Sequence, residues 1–129
     1  MAKLQVTQNK DKLYSMEIPY SSKEQKIGTW IDGKPLYRRV FNVTNLNYGS
    51  ETILAKITNS KDVFIRCAYI INSNTGFTIE IGQQYTIANR DSRTWADAKS
   101  GDIKCYLGSA WNGIVDTALT IVEYTKKTD

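Results

Sequence analysis

Residues 26–41 read KIGTWIDGKPLYRRVF, with Trp30-Ile31-Asp32-Gly33-Lys34 at their centre. Apolar and aromatic residues flank an Asp-Gly pair on both sides, a strong short-range hairpin signature. The pair is expected to make a type I′ turn, whose two central residues both need positive φ. Residues 25–31 then run out as one strand and residues 34–43 return as the next. Gly28 inside the first arm is expected to admit a close backbone or ring. Pro35 has no N–H for a ladder, which places it at an edge or a strand start. Trp30 and Tyr37, one on each arm, are expected to pack on each other or on the core.

Outward from the hairpin, strand follows strand. Residues 52–57 carry Ile53, Ala55 and Ile57 on one side and read as a weak strand, with a short helix as the alternative. Residues 63–72 are the strongest run. Val63, Ile65, Cys67, Tyr69 and Ile71 fall on one face, and Phe64, Ala68 and Ile70 on the other, interrupted by Arg66. Such a strand is expected to be buried on both faces for part of its length. Residues 72–76, NSNTG, mark a turn; Phe77, Ile79 and Ile81 then alternate inward, Gly82 reads as a bulge, and Tyr85 and Ile87 resume the strand. Residues 89–102, NRDSRTWADAKSGD, read as a long polar loop with one helical turn. Ile103, Cys105 and Leu107 alternate again, GSAWNG is a turn or loop, and residues 117–125 form the closing strand. Short strands separated by turn signals, with no long helix, argue for an antiparallel β-sandwich or barrel.

The totals bound the function. The chain has 129 residues, which suits one domain: an arm over residues 1–24 and a single β-sandwich over 25–129. Residues 1–24 are polar and weakly patterned, but Leu13, Met16, Ile18 and Tyr20 are expected to pack on something. The N-terminus, MAKLQVTQ, has no apolar signal core, so the chain is expected to be made in a cytosol and to stay there or leave by lysis. No apolar run approaches the roughly 20 residues of a membrane helix, so no membrane insertion is expected. The net charge is +4, but the 17 basic residues are scattered among 13 acidic ones. Arg38 and Arg39 point to opposite faces of their strand, so no basic stripe forms and nucleic acid is not an expected partner. The chain has no histidine. That rules out Ser-His-Asp and Cys-His devices and leaves no expected zinc site or other metal. Glu80, Asp91, Asp97, Asp102 and Asp116 show no pairing in their spacing, so no hydrolase is expected and no cofactor is implied. Cys67 and Cys105, each in an apolar alternating run, read as buried thiols, with a disulfide between them as the alternative.

Two parts of the chain resemble the C-terminal domain of many bacteriophage tail fibre and receptor-binding proteins. That signature runs Tyr-Ser-Thr-x-Glu-x-x-(Ile/Val)-Gly-x-Trp-x-Asp-Gly-Lys-Pro-(Ile/Leu)-Tyr. Here its positions are Tyr20, Ser21, Glu24, Ile27, Gly28, Trp30, Asp32, Gly33, Lys34, Pro35, Leu36 and Tyr37, with Ser22 in place of the threonine. Residues 118–129, ALTIVEYTKKTD, resemble the closing strand of the same family. The resemblance implies a jelly-roll-like β-sandwich at a fibre tip, a homotrimer, and a virion location after synthesis in the host cytoplasm. It carries over no binding residues, and the signature itself looks structural. The implied work is adhesion to a bacterial cell-surface saccharide, with the rest of the phage tail as a further partner. The alternative is a trimerisation or capping module without receptor contact.

Saccharides are held by aromatic faces joined with planar polar groups, and two segments supply both. One brings Arg90, Asp91, Arg93 and Trp95; the other brings Trp111 and Asn112; Tyr48, in NLNYGSE, is a third candidate. Loops on a rigid sandwich are where binding commonly resides. Against this stands an anchoring role for either tryptophan, as a plug at the end of the sandwich.

Overall fold

A computed structural model describes residues 18–82, 87–97 and 99–128. Eight strands follow in chain order: β1 (Gln25–Thr29), β2 (Pro35–Val43), β3 (Ser50–Lys56), β4 (Ser60–Ile71), β5 (Thr78–Glu80), β6 (Ser92–Ala96), β7 (Asp102–Leu107) and β8 (Thr117–Lys126). They form two antiparallel sheets, one ordered β1-β2-β8-β4-β5 and the other β3-β7-β6. The protein is an all-β sandwich. One 3-10 turn, Ser109–Trp111, is the single helical element among the described residues, and none of their helices is long and apolar enough to cross a membrane. The expected arm up to residue 17, with Leu13 and Met16, and the expected strand residue Tyr85 lie outside the described residues.

The opening hairpin exists, with a different turn. The Gly33 N–H donates to the Trp30 carbonyl at 2.9 Å, and the Trp30 N–H to the Lys34 carbonyl at 2.8 Å. Only Gly33 takes positive φ, at 87°, so the turn is not type I′. The tight turn spans residues 30–33 and Gly33 supplies the left-handed step that follows it, the longer hairpin loop that also favours glycine. Pro35 opens β2, as its missing N–H requires. A side chain at Gly28 would meet nothing within 4 Å. The expected close approach is therefore absent; Gly28 sits at a register shift in the β1–β2 ladder instead. Trp30 and Tyr37 do not pack on each other. Trp30 lies 4.7 Å from the Phe64 ring, and Tyr37 stacks on Tyr124 at 5.8 Å.

The core fills the space between the sheets. Ile103, Cys105 and Leu107 of β7 are fully buried, as their alternation predicted, and face Ala118, Val122 and Tyr124 of β8. Residues 52–56 are strand rather than helix, since β3 pairs along β7, but the expected side of Ile53, Ala55 and Ile57 is broken by a register shift between Ile53 and Ala55: Thr52 and Leu54 are buried, Ile53 is exposed, and Ile57, buried, follows the strand. Residues 89–102 also hold a strand, β6, in place of the expected loop with a helical turn. In β4 a register shift between Ile65 and Cys67 changes which residues face inward. Val63 and Ile65 pack on the core before it, Ala68 and Ile70 are buried after it, and Arg66 is left exposed at the shift. The expected single apolar face of residues 63–71 is thus split, because one extra residue inverts a period of two. The NSNTG turn is present: the Asn72 side-chain oxygen accepts from the N–H groups of Asn74 (2.9 Å) and Thr75 (3.1 Å).

Candidate functional site

β6 positions the most exposed candidates. Its inward side chains, Ser92, Thr94 and Ala96, lie opposite Leu107, Cys105 and Ile103. Arg93 and Trp95 therefore project from the outer face of the three-stranded sheet. Their partners in register are Tyr106 and Lys104. The Arg93 guanidinium lies 4.5 Å from the Tyr106 ring centroid, and its Nη1 is 3.3 Å from the Asp91 carboxylate. Both side chains of that ion pair are more than half exposed, at 60% and 56%, so the pair orients Arg93 more than it stabilises the fold. Trp95 is half-buried. A cleft of about 760 Å³ borders this strand, lined by Arg93 and Trp95, by Glu51 and Glu80, and by the edge of β4 around Arg66. That volume falls within the ~300–1,000 Å³ of small-ligand sites. Arg66 is already held by Glu123 at 2.7 Å.

The second candidate segment folds against the first, but its aromatic ring turns inward. Gly108 N–H donates to the Asp91 carbonyl at 2.8 Å and Ala110 N–H to the Asn89 carbonyl at 3.0 Å. Trp111 is 1% exposed and belongs to the core. Its indole Nε1–H donates to the Arg90 carbonyl at 2.9 Å, and the Arg90 guanidinium covers the ring at 5.0 Å. Trp111 and Arg90 thus form an anchor, not an open stacking platform. Tyr48 is also anchored: its hydroxyl donates to the Val115 carbonyl at 2.6 Å and its ring packs on the core. Burial, with the nearby Asp116 charge, pushes its phenol pKa up. Asn112 is exposed beside the anchor, with its N–H on the Ser109 carbonyl. Of the seven candidates, Arg93, Asp91 and Trp95 gather on β6 and its approach, and Asn112 stays on the adjoining turn. Tyr106 and Lys104 were missed, although the alternation around Ile103, Cys105 and Leu107 already placed them on the opposite face.

Gly108 is where the two loops touch. A Cβ there would strike the Asn89 carbonyl and meet the Asp91 carboxylate at 2.7 Å. Its φ of −60° is ordinary, so the constraint is space. Gly108→Ala is expected to cost about 1–3 kcal/mol by overpacking, read from denaturant midpoints at unchanged slope.

The two segments that carry the family resemblance meet at one spot. Glu24 accepts from the Tyr124 hydroxyl at 2.5 Å and pairs with Lys126 at 2.7 Å. The Lys126 ammonium also lies 4.3 Å from the Tyr37 ring, which stacks on Tyr124. Lys34 Nζ donates to the carbonyls of Lys126 (3.0 Å) and Lys127 (3.2 Å). Burial works against the Glu24 charge, but the hydrogen bonds from Lys126 and Tyr124 outweigh it and hold the carboxyl below its usual range. Burial and the Glu24 carboxylate push the Tyr124 phenol up. Because the folded pKa of Glu24 lies below the unfolded one, its stabilisation is present at neutral pH. It is lost as pH falls below the ordinary 4.5 and through the folded value. Glu24→Gln is therefore expected to lower the melting temperature at neutral pH and to make its decline between about pH 6 and pH 3 shallower than in the wild type.

Two further acids, Asp97 and Asp116, hold turns. Asp97 accepts from the N–H groups of Ser100 and Lys99, and Asp116 from Thr117 and Ser73; these bonds hold both carboxyls below their usual range. Asp102 lies 3.4 Å from Lys56. Among the described residues no group of three or more potential ligands is placed to hold a metal. The chain matches no protein-family model, no curated protein and no solved structure.

Proposed function

We propose that this chain is the receptor-binding tip domain of a bacteriophage tail fibre, and that it adheres non-covalently to a bacterial cell-surface saccharide. The observation that carries the reading is the outer face of the β3-β7-β6 sheet. Arg93 and Trp95 stand there two residues apart on one strand, beside Tyr106 and the cleft. An aromatic face, a guanidinium and nearby carboxylates are the groups that hold a sugar ring without chemistry on it. The tail-fibre assignment rests on the resemblance of residues 20–37 and 118–129. Their convergence on the Glu24, Tyr124 and Lys126 cluster supports a structural role for that signature and leaves recognition to other surfaces. The same reading takes the working unit as a jelly-roll-like homotrimer, in which several weak sites add through effective concentration.

The test is a panel of purified bacterial surface polysaccharides presented to the immobilised chain. Saturable, reversible binding of at least one, with the polysaccharide recovered at its original length, is the expected result. Shortened polysaccharide points to a hydrolase, and a folded chain that binds none points to a purely structural module.

A further inference from the structure

Of the large apolar side chains left exposed among the described residues, Ile53 alone stands inside a strand. It is 60% exposed, while Thr52 and Leu54 on either side of it are buried. β3 therefore turns Ile53 onto the outer face of the three-stranded sheet, the face that carries Arg93 and Trp95. Ile53 belongs neither to the core nor to the residues packed against it. The register places it in one row with Lys104 and Trp95, and places Glu51 in the next row with Tyr106 and Arg93. Strands about 4.8 Å apart put Ile53 and Trp95 about 10 Å from each other, with Lys104 on the strand between them. Glu51 also lines the cleft that Arg93 and Trp95 border, so Ile53 lies beside the same site.

The polar groups around Ile53 keep hydrogen-bonding capacity. Lys104 Nζ stands 3.9 Å from the Asp97 carboxylate, beyond hydrogen-bond length, so its ammonium has protons left to donate. The Glu51 carbonyl is taken by the Asn47 side-chain amide at 2.8 Å. The exposed Glu51 carboxylate has no hydrogen bond or ion pair among the described residues. An apolar side chain, a cationic donor and an anionic acceptor thus occupy neighbouring positions on two strands. An acetamido group presents the matching set: a methyl group, a carbonyl oxygen that accepts and an N–H that donates. An ester-linked acetyl group has no N–H for Glu51, and a bare hydroxyl has no methyl for Ile53.

We propose that Ile53, Lys104 and Glu51 form an acetamido subsite, so that the saccharide bound on this face carries an N-acetylated sugar. The inference rests on the saccharide reading of the same face. Ile53 takes the methyl group, Lys104 donates to the carbonyl oxygen, and Glu51 accepts from the N–H.

The test takes the polysaccharide that binds best in the panel, strips its N-acetyl groups, and restores them either as N-acetyl or as N-formyl groups. The formyl form keeps the amide and lacks only the methyl. The wild-type chain is expected to bind the formyl form about fourfold more weakly, the worth of one buried methyl group. Ile53→Ala is expected to bind both forms alike, with a melting temperature within a few degrees of the wild type because Ile53 is exposed. Equal wild-type affinity for the two forms overturns the proposal. So does a preference for the acetyl form that survives in Ile53→Ala, which seats the methyl elsewhere. Binding lost on mild alkali, which removes ester-linked acetyl groups alone, assigns the contact to an O-acetyl group and overturns it too. A panel whose only binders lack acetamido sugars overturns the subsite and leaves the saccharide reading standing; a panel with no binder overturns both.

Discussion

Trp111→Ala is expected to destabilise the protein by about 3–5 kcal/mol, the range for truncating a buried large aromatic. For a domain of this length that is a drop of about 10–20 °C in melting temperature. Three losses add. The indole leaves a cavity at the end of the sandwich, where Trp111 is 1% exposed. The Arg90 carbonyl loses the donor it holds at 2.9 Å, and the Arg90 guanidinium loses the ring it covers at 5.0 Å. Trp111→Phe keeps most of the apolar volume and gives up the donor, so a smaller loss of about 1–3 kcal/mol is expected. Near-equal melting temperatures for the wild type and Trp111→Ala, measured by calorimetry, would remove Trp111 from the core and return it to the binding candidates.

The second large effect falls on binding with stability spared. Arg93→Ala/Trp95→Ala is expected to weaken polysaccharide binding at least tenfold while the melting temperature shifts by only a few degrees. Arg93 is 60% exposed on its side chain, so its loss costs the fold little. Trp95 is half-buried, with Lys104 as its cross-strand neighbour, and it is not among the core residues, so its truncation is expected to leave the core closed. The contrast with Trp111 is the informative part. Two tryptophans in polar segments of similar composition are expected to separate into one that holds the fold and one whose loss is felt in binding. Binding unchanged in a folded double variant moves recognition off β6.

How far each element was legible follows from what its residues had to satisfy. The row of Ile103, Cys105 and Leu107 could be read directly, because β7 is the central strand of its sheet and keeps an unbroken period of two. β4 could not, because the register shift beside Arg66 inverts the alternation inside an apolar run and leaves no mark in composition. β6 was hidden for another reason. Its inward residues, Ser92, Thr94 and Ala96, are small or polar and give no apolar rhythm, so its outward Trp95 looked like a loop side chain. Trp111 sits among Gly, Ser, Ala and Asn, which read as a turn; only the tertiary contact with Arg90 shows that the turn folds inward. The Glu24–Tyr124 bond joins residues 100 apart, and no local pattern announces such a pair. Resemblance marked both segments, and the fold supplied the reason they occur together.

The most direct measurement is a backbone-amide NMR titration of the full chain with oligosaccharides cut from a polysaccharide that it binds. The largest chemical-shift changes are expected at Arg93, Trp95 and Tyr106, with smaller ones along the cleft toward Glu51 and Glu80. Changes centred on residues 108–113, or on the Glu24, Tyr124 and Lys126 cluster, with β6 silent, would contradict recognition on the outer face of the three-stranded sheet.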